Sequence, residues 1–493
     1  MAATSYQQNP GGGPSPVGRN ANFRWLIKEE LTAEALASLS NACMFSALIK
    51  LYQGEGMDQG FKGDFIDIKL RNQLVAGRGR NLNNNPVIAK LVQRWARLEA
   101  KEPFYVYIDD LDREDITINS SEADRMDFYR YIGTALATKI DLAMAMEMAC
   151  ITGHVIGSTS QLISSTIFDR ARAQLDMVPL PDMQDVFAVV HPFDISNIRT
   201  SLVGPVVQNS ATGSGTTRLP GDPMALTPLS TQKGFKGYMY DIPFFTSKHI
   251  PLYEPGTWTT RKNGNNIIRP KVKGANQTGN VLVTDGWSAG DKLKAGMVFT
   301  IEGVEQVNLV SKQSFREMSF TLTQDVTVGA AADETTEVKL PVSPEINAGM
   351  MSYGRNPTAS ELATDPTSTG TAVTTDAYNN VNASPADDAD ITIFGESNGQ
   401  YRQAFLFDKS AMCRKDIPLA RLSSDTQTDK VWTLDNKETR RIGFNMRYLE
   451  DFDIKNPKLE MRVDTWQAFS LIEPWNAIRI IGKNEMPLIA DLT

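Results

Sequence analysis

The densest group of side chains able to do chemistry is Asp109, Asp110, Asp112, Glu114 and Asp115. Carboxylates at alternate positions, as in Asp110-x-Asp112-x-Glu114, suit a calcium loop, because a hard cation needs several anionic oxygens from one short turn. The turn glycine of such a loop is missing and Arg113 sits inside the group. A solvated or ion-paired face is therefore the simpler reading. The basic pair Arg78 and Arg80, within Gly77-Arg78-Gly79-Arg80, has no aromatic side chains interleaved on which bases could stack.

The other chemical motifs are negative. His154, His191 and His249 are the only histidines, and none has a second His or Cys at metal-ligand spacing. His191 precedes Pro192 at the end of an apolar run, a place for a hydrogen-bonded structural imidazole. No Gly-x-Ser-x-Gly nucleophile elbow occurs. Gly274 to Gly279 has the glycine spacing of a phosphate loop, but Asn280 stands where the lysine is needed, so it reads as a turn. Gly54 to Gly60 misses dinucleotide spacing. Cys43, Cys150 and Cys413 lie far apart and are expected to be free thiols, which fits a reducing compartment. No catalytic residue, cofactor site or metal site is expected.

Composition narrows the class. At 493 residues the chain should hold two to four domains on the usual allowance of roughly 150 residues each. Hydrophobic residues at 41% and charged residues at 22% are globular values. The net charge of −8 disfavours tight binding of phosphate backbones. Met1 to Asn22 has no signal-peptide pattern, and no apolar run is long enough to span a bilayer, so cytosolic synthesis and no membrane partner are expected.

The elements that must position these residues follow from periodicity. Residues 1–22, with Gly11 to Pro16 and Arg19 as the only charge, read as an arm that orders only against neighbours. Leu31, Ala35, Leu39, Cys43 and Ala47 fall at helical spacing. Residues 61–118 read as strand, open loop and strand, from Phe65 to Leu70 and back at Phe104 to Ile108, with a helical piece around Leu91 to Leu98. Such a long hairpin could reach a neighbouring subunit. Ser120 and Ser121, ahead of Glu122 and Asp124, cap a helix whose stripe is Ile132, Leu136, Ile140, Met144 and Met148, flanked by Ala135, Ala143 and Met146. About 30 residues make a rod of roughly 45 Å. A helix over Gln161 to Leu175, a buried strand from Val186 to Pro192 and a helix from Asp194 to Ser201 suggest a mixed α/β layer. Residues 204–234 read as a loop, and β-rich segments run from Tyr238 to about Leu340. Gly290-Asp291, Gly296, a β-rich run and Gly303 read as a tight hairpin within a small barrel. Asn356 to Tyr401 carries Glu361, Asp365, Asp376, Asp387, Asp388, Asp390 and Glu396 without Lys or Arg, and reads as a solvated acidic loop. Further strands are expected at Ala404 to Phe407, Arg441 to Tyr448 and Ala477 to Ile481.

Residues 286–309 resemble the domain inserted into the major coat protein of one group of short-tailed, double-stranded-DNA bacteriophages. Ala377-Tyr378-Asn379-Asn380-Val381-Asn382-Ala383-Ser384 is similar to the step by which those proteins leave the inserted domain. Phe187 to Pro192 resembles the strand and helix start of their axial domain, and Arg462-Val463-Asp464 through Trp475 and Ile478 their closing strands. The resemblance implies an α+β protein with the tailed-phage major capsid fold. Its parts would be an N-arm (1–22), an N-terminal helix region (23–60), an extended loop with peripheral-domain strands (61–118) and a spine helix (119–153). A first part of the axial domain (154–249), the inserted β-barrel domain with its acidic loop (250–390) and the axial and peripheral return (391–493) would follow.

The same resemblance implies a subunit of pentamers and hexamers in an icosahedral shell, made in the host cytoplasm and incorporated in the virion capsid. Its partners would be itself, a scaffolding protein, a portal protein and, by weak non-specific contact, the packaged double-stranded DNA. Arg71, Arg78, Arg80, Asp109, Asp110 and Asp112 are the candidate subunit contacts. Two other classes compete: a secreted carbohydrate-active enzyme, which should show paired carboxylates and an export signal, and a monomeric binding module, which does not need a 30-residue rod.

Overall fold

The computed structural model describes residues 34–39, 42–52, 64–69, 95–108, 122–177, 185–202, 235–239, 242–259, 261–263, 266–308, 314–329, 336–348, 380–417, 419, 444, 446–453 and 458–484. The chain divides into two compact units. One comprises residues 1–67, 97–144 and 413–470, the other 68–96, 145–412 and 471–493. The fold class is α+β, with strands in the majority. No helix among the described residues is long and apolar enough to cross a membrane.

In the first unit the central element is α1, Glu122–Ile151, whose last residues belong to the second unit. The expected stripe is buried at Ile132, Leu136, Ile140, Met144 and Met148. Its flanks differ from expectation: Ala135 and Met146 are exposed, and Ala137 and Ala145 are buried instead. Gly133 lets the helix at 34–39 approach closely, since a Cβ there would lie 2.2 Å from the Ala35 carbonyl oxygen. That N-terminal helix was expected to run unbroken to Ala47. It breaks at 43–44, because the backbone N–H groups of Met44 and Phe45 donate to the Asp141 carboxylate of α1 at 2.8 and 3.2 Å. A short helix, Phe45–Leu48, follows.

Strand Phe104–Ile108 has the expected bounds, but its partner differs. It pairs with Lys458–Thr465, which pairs in turn with Met446–Asp453. The partner of Phe65–Lys69 is Trp95–Glu99, where a helical piece was expected. Period two explains the outcome: Leu98 and Ala100 are buried while Arg97 and Glu99 are exposed. A second three-stranded sheet joins Lys50–Leu51, Met412–Asp416 and Gln467–Leu471.

The second unit holds two six-stranded sheets. One is mixed, in the order Val155–Ser158, Ala477–Lys483, Tyr401–Asp408, Val186–Val190, Ile242–Thr246 and Phe235–Met239. Helices α2 (Ser165–Asp176) and α3 (Pro192–Leu202) contribute Phe168, Ala171, Leu175, Ile195 and Ile198 to its core. The Phe168 and Phe244 rings meet edge-on with centroids 4.9 Å apart.

The other sheet is antiparallel, in the order Lys271–Val272, Gly279–Asp285, Val338–Ile346, Ser314–Leu322, Val298–Val307 and Ile391–Ile393. Its ends meet, as Lys271 bridges Asp390 and the Ile391 N–H donates to the Pro270 carbonyl at 2.9 Å. The six strands thus form a nearly closed barrel around Leu282, Phe299, Ile301, Phe320, Leu322 and Leu340. The expected hairpin between Gly290 and Gly303 does not form. Lys292–Leu293 pairs with Gly256–Thr257 and Val326–Thr327, while Val298–Val307 pairs with Ser314–Leu322, so the two runs lie in different sheets. The described end of the expected acidic loop is also built into the barrel: Asp387 accepts the Gly274 N–H at 2.7 Å, and Ile391–Ile393 is the closing strand.

Candidate functional site at the end of the long helix

The last carbonyls of a helix have no partner within it and need donors from elsewhere. At the end of α1 the barrel supplies them. Thr321 Oγ1 donates to the Thr152 carbonyl at 2.8 Å, Ser343 Oγ donates to the Ile151 carbonyl at 2.7 Å, and Ser319 Oγ donates to the Gly153 carbonyl. Alternation places these hydroxyls together. Ser319 and Thr321 are two apart on one strand face, Phe320 and Leu322 point into the barrel, and Ser343 is the cross-strand partner of Thr321. Thr321→Val is expected to cost about 1–2 kcal/mol by orphaning the Thr152 carbonyl, read as a lower urea midpoint with unchanged slope.

Arg479 completes the joint from the mixed sheet. Its Nη1 donates to the Ala149 carbonyl at 2.8 Å and to the Gly296 carbonyl at 2.7 Å, and its Nε donates to Gln403 Oε1 at 2.8 Å. The guanidinium lies 4.7 Å from the centroid of the Tyr253 ring, a cation–π distance. Tyr253 Oη donates to the Phe394 carbonyl at 2.6 Å and accepts the Val298 N–H at 3.1 Å. Gly296 adopts φ +87° in the turn closed by Met297 N–H to the Lys294 carbonyl, which aims its own carbonyl at the arginine. Arg479 is 1% exposed, and burial lowers its pKa to about 10, so it stays charged at neutral pH. A fixed cation beside the negative end of the helix is electrostatically favourable.

A second polar chain stands beside it. Arg316 donates from Nη1 to the Val155 carbonyl at 3.1 Å and to Gln174 Oε1 at 3.0 Å, and from Nε to Gln306 Oε1 at 2.9 Å. Gln306 Nε2 is 2.8 Å from His154 Nε2. Burial, with the Arg316 charge second, lowers the His154 pKa to about 3.

The sequence-derived candidates Arg71, Arg78, Arg80, Asp109, Asp110 and Asp112 all lie outside the described residues, as does the arm at 1–22. The histidines sit in separate surroundings. His191 accepts at Nδ1 from Arg402 Nη1 at 2.8 Å, a structural contact as expected, and burial lowers its pKa. Among the described residues no group of three or more His, Cys, Asp or Glu side chains could hold a metal ion. Sequence reasoning missed Arg479, Tyr253, Ser319, Thr321 and Ser343. A signal existed for the first: one charge inside the apolar run Ala477-Ile478-Arg479-Ile480-Ile481 marks a position that must find buried acceptors.

What these residues define is a mechanical joint, in which fixed donors hold the end of a helix against two sheets. Residues 358–482 of the chain match the family model described as P22 coat protein - gene protein 5. The match spans about a quarter of the chain and supports a likeness to tailed-phage coat proteins. Two stretches that carried the resemblance, Ala377 to Ser384 and Arg462 to Ile478, fall within the matched residues. No curated protein matches the chain.

Solved structures resemble it at low identity. "Capsid of Ralstonia phage GP4" is 9% identical, with 91% of this chain and 93% of that one covered and a TM-score of 0.40. "Mycobacterium phage Che8" is 10% identical, with 89% and 90% covered and a TM-score of 0.35. "Capsid structure of the Cyanophage P-SCSP1u" is also 10% identical, with 90% and 89% covered and a TM-score of 0.35.

Proposed function

We propose that this chain is a capsid protein that assembles into the pentamers and hexamers of an icosahedral shell enclosing double-stranded DNA. The coat-protein match over residues 358–482 carries the reading. Several modest interfaces per subunit, closed by symmetry, allow errors to be corrected during growth. A scaffolding protein and a portal organise assembly in the host cytoplasm. The net charge of −8 keeps contact with the packaged DNA weak, so the polymer slides without sticking.

Within this proposal residues 1–22 are the arm, 61–118 the extended loop, 119–153 the spine, 154–249 and 391–493 the axial and peripheral parts, and 250–390 the inserted barrel. Arg71, Arg78 and Arg80 pair across subunits with Asp109, Asp110 and Asp112. Electron microscopy after co-expression with a scaffolding protein tests the proposal: closed shells of pentamers and hexamers are expected, and a monomer alone in sedimentation would overturn it. Deleting residues 1–22 is expected to abolish or greatly reduce shell yield while leaving the folded monomer's urea midpoint unchanged. Normal, stable shells from the truncated chain would remove the arm from the mechanism.

A further inference from the structure

The chain of hydrogen bonds from Arg316 to His154 has a fixed direction. Arg316 can only donate, so the Gln306 atom 2.9 Å from its Nε is the amide oxygen, and the amide nitrogen faces His154. That nitrogen donates, which makes His154 Nε2, 2.8 Å away, the acceptor. A neutral imidazole accepting at Nε2 carries its proton on Nδ1. His154 is 2% exposed, and its Nδ1 has no partner among the described residues. A buried N–H group left without an acceptor is unfavourable, so the fold should supply one.

A cavity of about 20 Å³ borders the same side chain. Phe315, Met318 and Pro344 make its wall apolar, which excludes an ion, while Gln306 and Asn380 add polar groups. One water molecule needs roughly 10–15 Å³ of such space and two to four polar partners. Gln306 and Asn380 each keep a second amide hydrogen beyond the bonds described for them, Asn380 donating to the Glu345 carbonyl at 2.6 Å. Among the described residues lining the cavity, His154 alone has a buried polar side-chain atom without a partner.

We propose that this cavity is a binding site for a single water molecule that accepts the Nδ1–H of His154. The water extends the polar chain that begins at Arg316 and accepts from the imidazole at its far end. A cation is rejected because the imidazole presents a hydrogen, and a larger molecule because the volume admits only one water.

Two measurements test the site. A reconstruction of the full-length protein at a resolution that shows ordered water should contain one peak about 3 Å from His154 Nδ1. In ¹⁵N-histidine NMR, the signal lost in His154→Gln should report a neutral ring protonated at Nδ1. In His154→Phe the peak should disappear. An empty cavity beside an intact His154, a ring protonated at Nε2, or a peak that persists in His154→Phe would each overturn the proposal. Should the phenylalanine variant fail to fold, the wild-type map and the tautomer decide it.

Discussion

Arg479→Met should lower the unfolding free energy by about 4 kcal/mol, the largest loss expected from any single change at the joint. Two effects compete. Methionine avoids the cost of burying a cation, but it leaves the Ala149 and Gly296 carbonyls and Gln403 Oε1 without their donor. An orphaned buried acceptor costs about 1–3 kcal/mol, and there are three acceptors against one cation whose cost the helix end and the Tyr253 ring already reduce. The loss wins. Arg479→Lys should recover only part of it, because an ammonium cannot match the fork that reaches all three oxygens. Urea denaturation followed by tryptophan fluorescence measures both. A methionine variant within about 1 kcal/mol of wild type would show that the joint relaxes around the missing side chain.

The second large effect depends on pH. Asp141 is 1% exposed, and burial raises its pKa to about 7 even though the Met44 and Phe45 N–H groups, which lower it, donate to the carboxylate. The neighbouring thiol of Cys43 is raised too, first by burial and then by Asp141, with Arg414 acting in the opposite direction. In the unfolded chain the carboxyl titrates near its ordinary value of about 3.9. Between these values the folded state holds a proton that the unfolded state has lost, so stability falls as pH rises from about 4 to about 7, then levels off. At about 1.4 kcal/mol per unit the full change approaches 4 kcal/mol. Asp141→Asn should flatten that slope. It should be less stable than wild type at pH 4, where one backbone N–H faces an amide nitrogen that cannot accept, and more stable at pH 8. Parallel slopes for the two proteins over pH 4–8 would show that Asp141 does not titrate there.

The contrast between these residues and those picked out by sequence reasoning has a physical basis. The stripe Ile132 to Met148 was legible because a helix repeats its burial every three to four residues, here over more than four turns. Val186–Val190 and Ala477–Lys483 were legible as short apolar runs. Pairing partners were not, since Phe104–Ile108 finds Lys458–Thr465 across some 350 residues and no local pattern encodes that choice. Trp95–Glu99 was read with the wrong period because Leu91, Trp95 and Leu98 also fit helical spacing. The joint was hidden for a different reason. Serine and threonine on a strand look solvent-facing until the end of a helix is known to lie against them, and Asp141 looks like an ordinary helix-surface acid until the break at 43–44 covers it.

One arrangement in the mixed sheet bears on how the protein is made. Ala477–Lys483 lies between Val155–Ser158, with which it runs parallel, and Tyr401–Asp408, with which it runs antiparallel. The same strand carries Arg479. A nascent chain released by the ribosome before residue 477 therefore lacks both the strand that joins these two segments and the cation that fixes the end of α1. Truncated translation products cannot complete this sheet, so finishing synthesis is itself a condition for a competent building block.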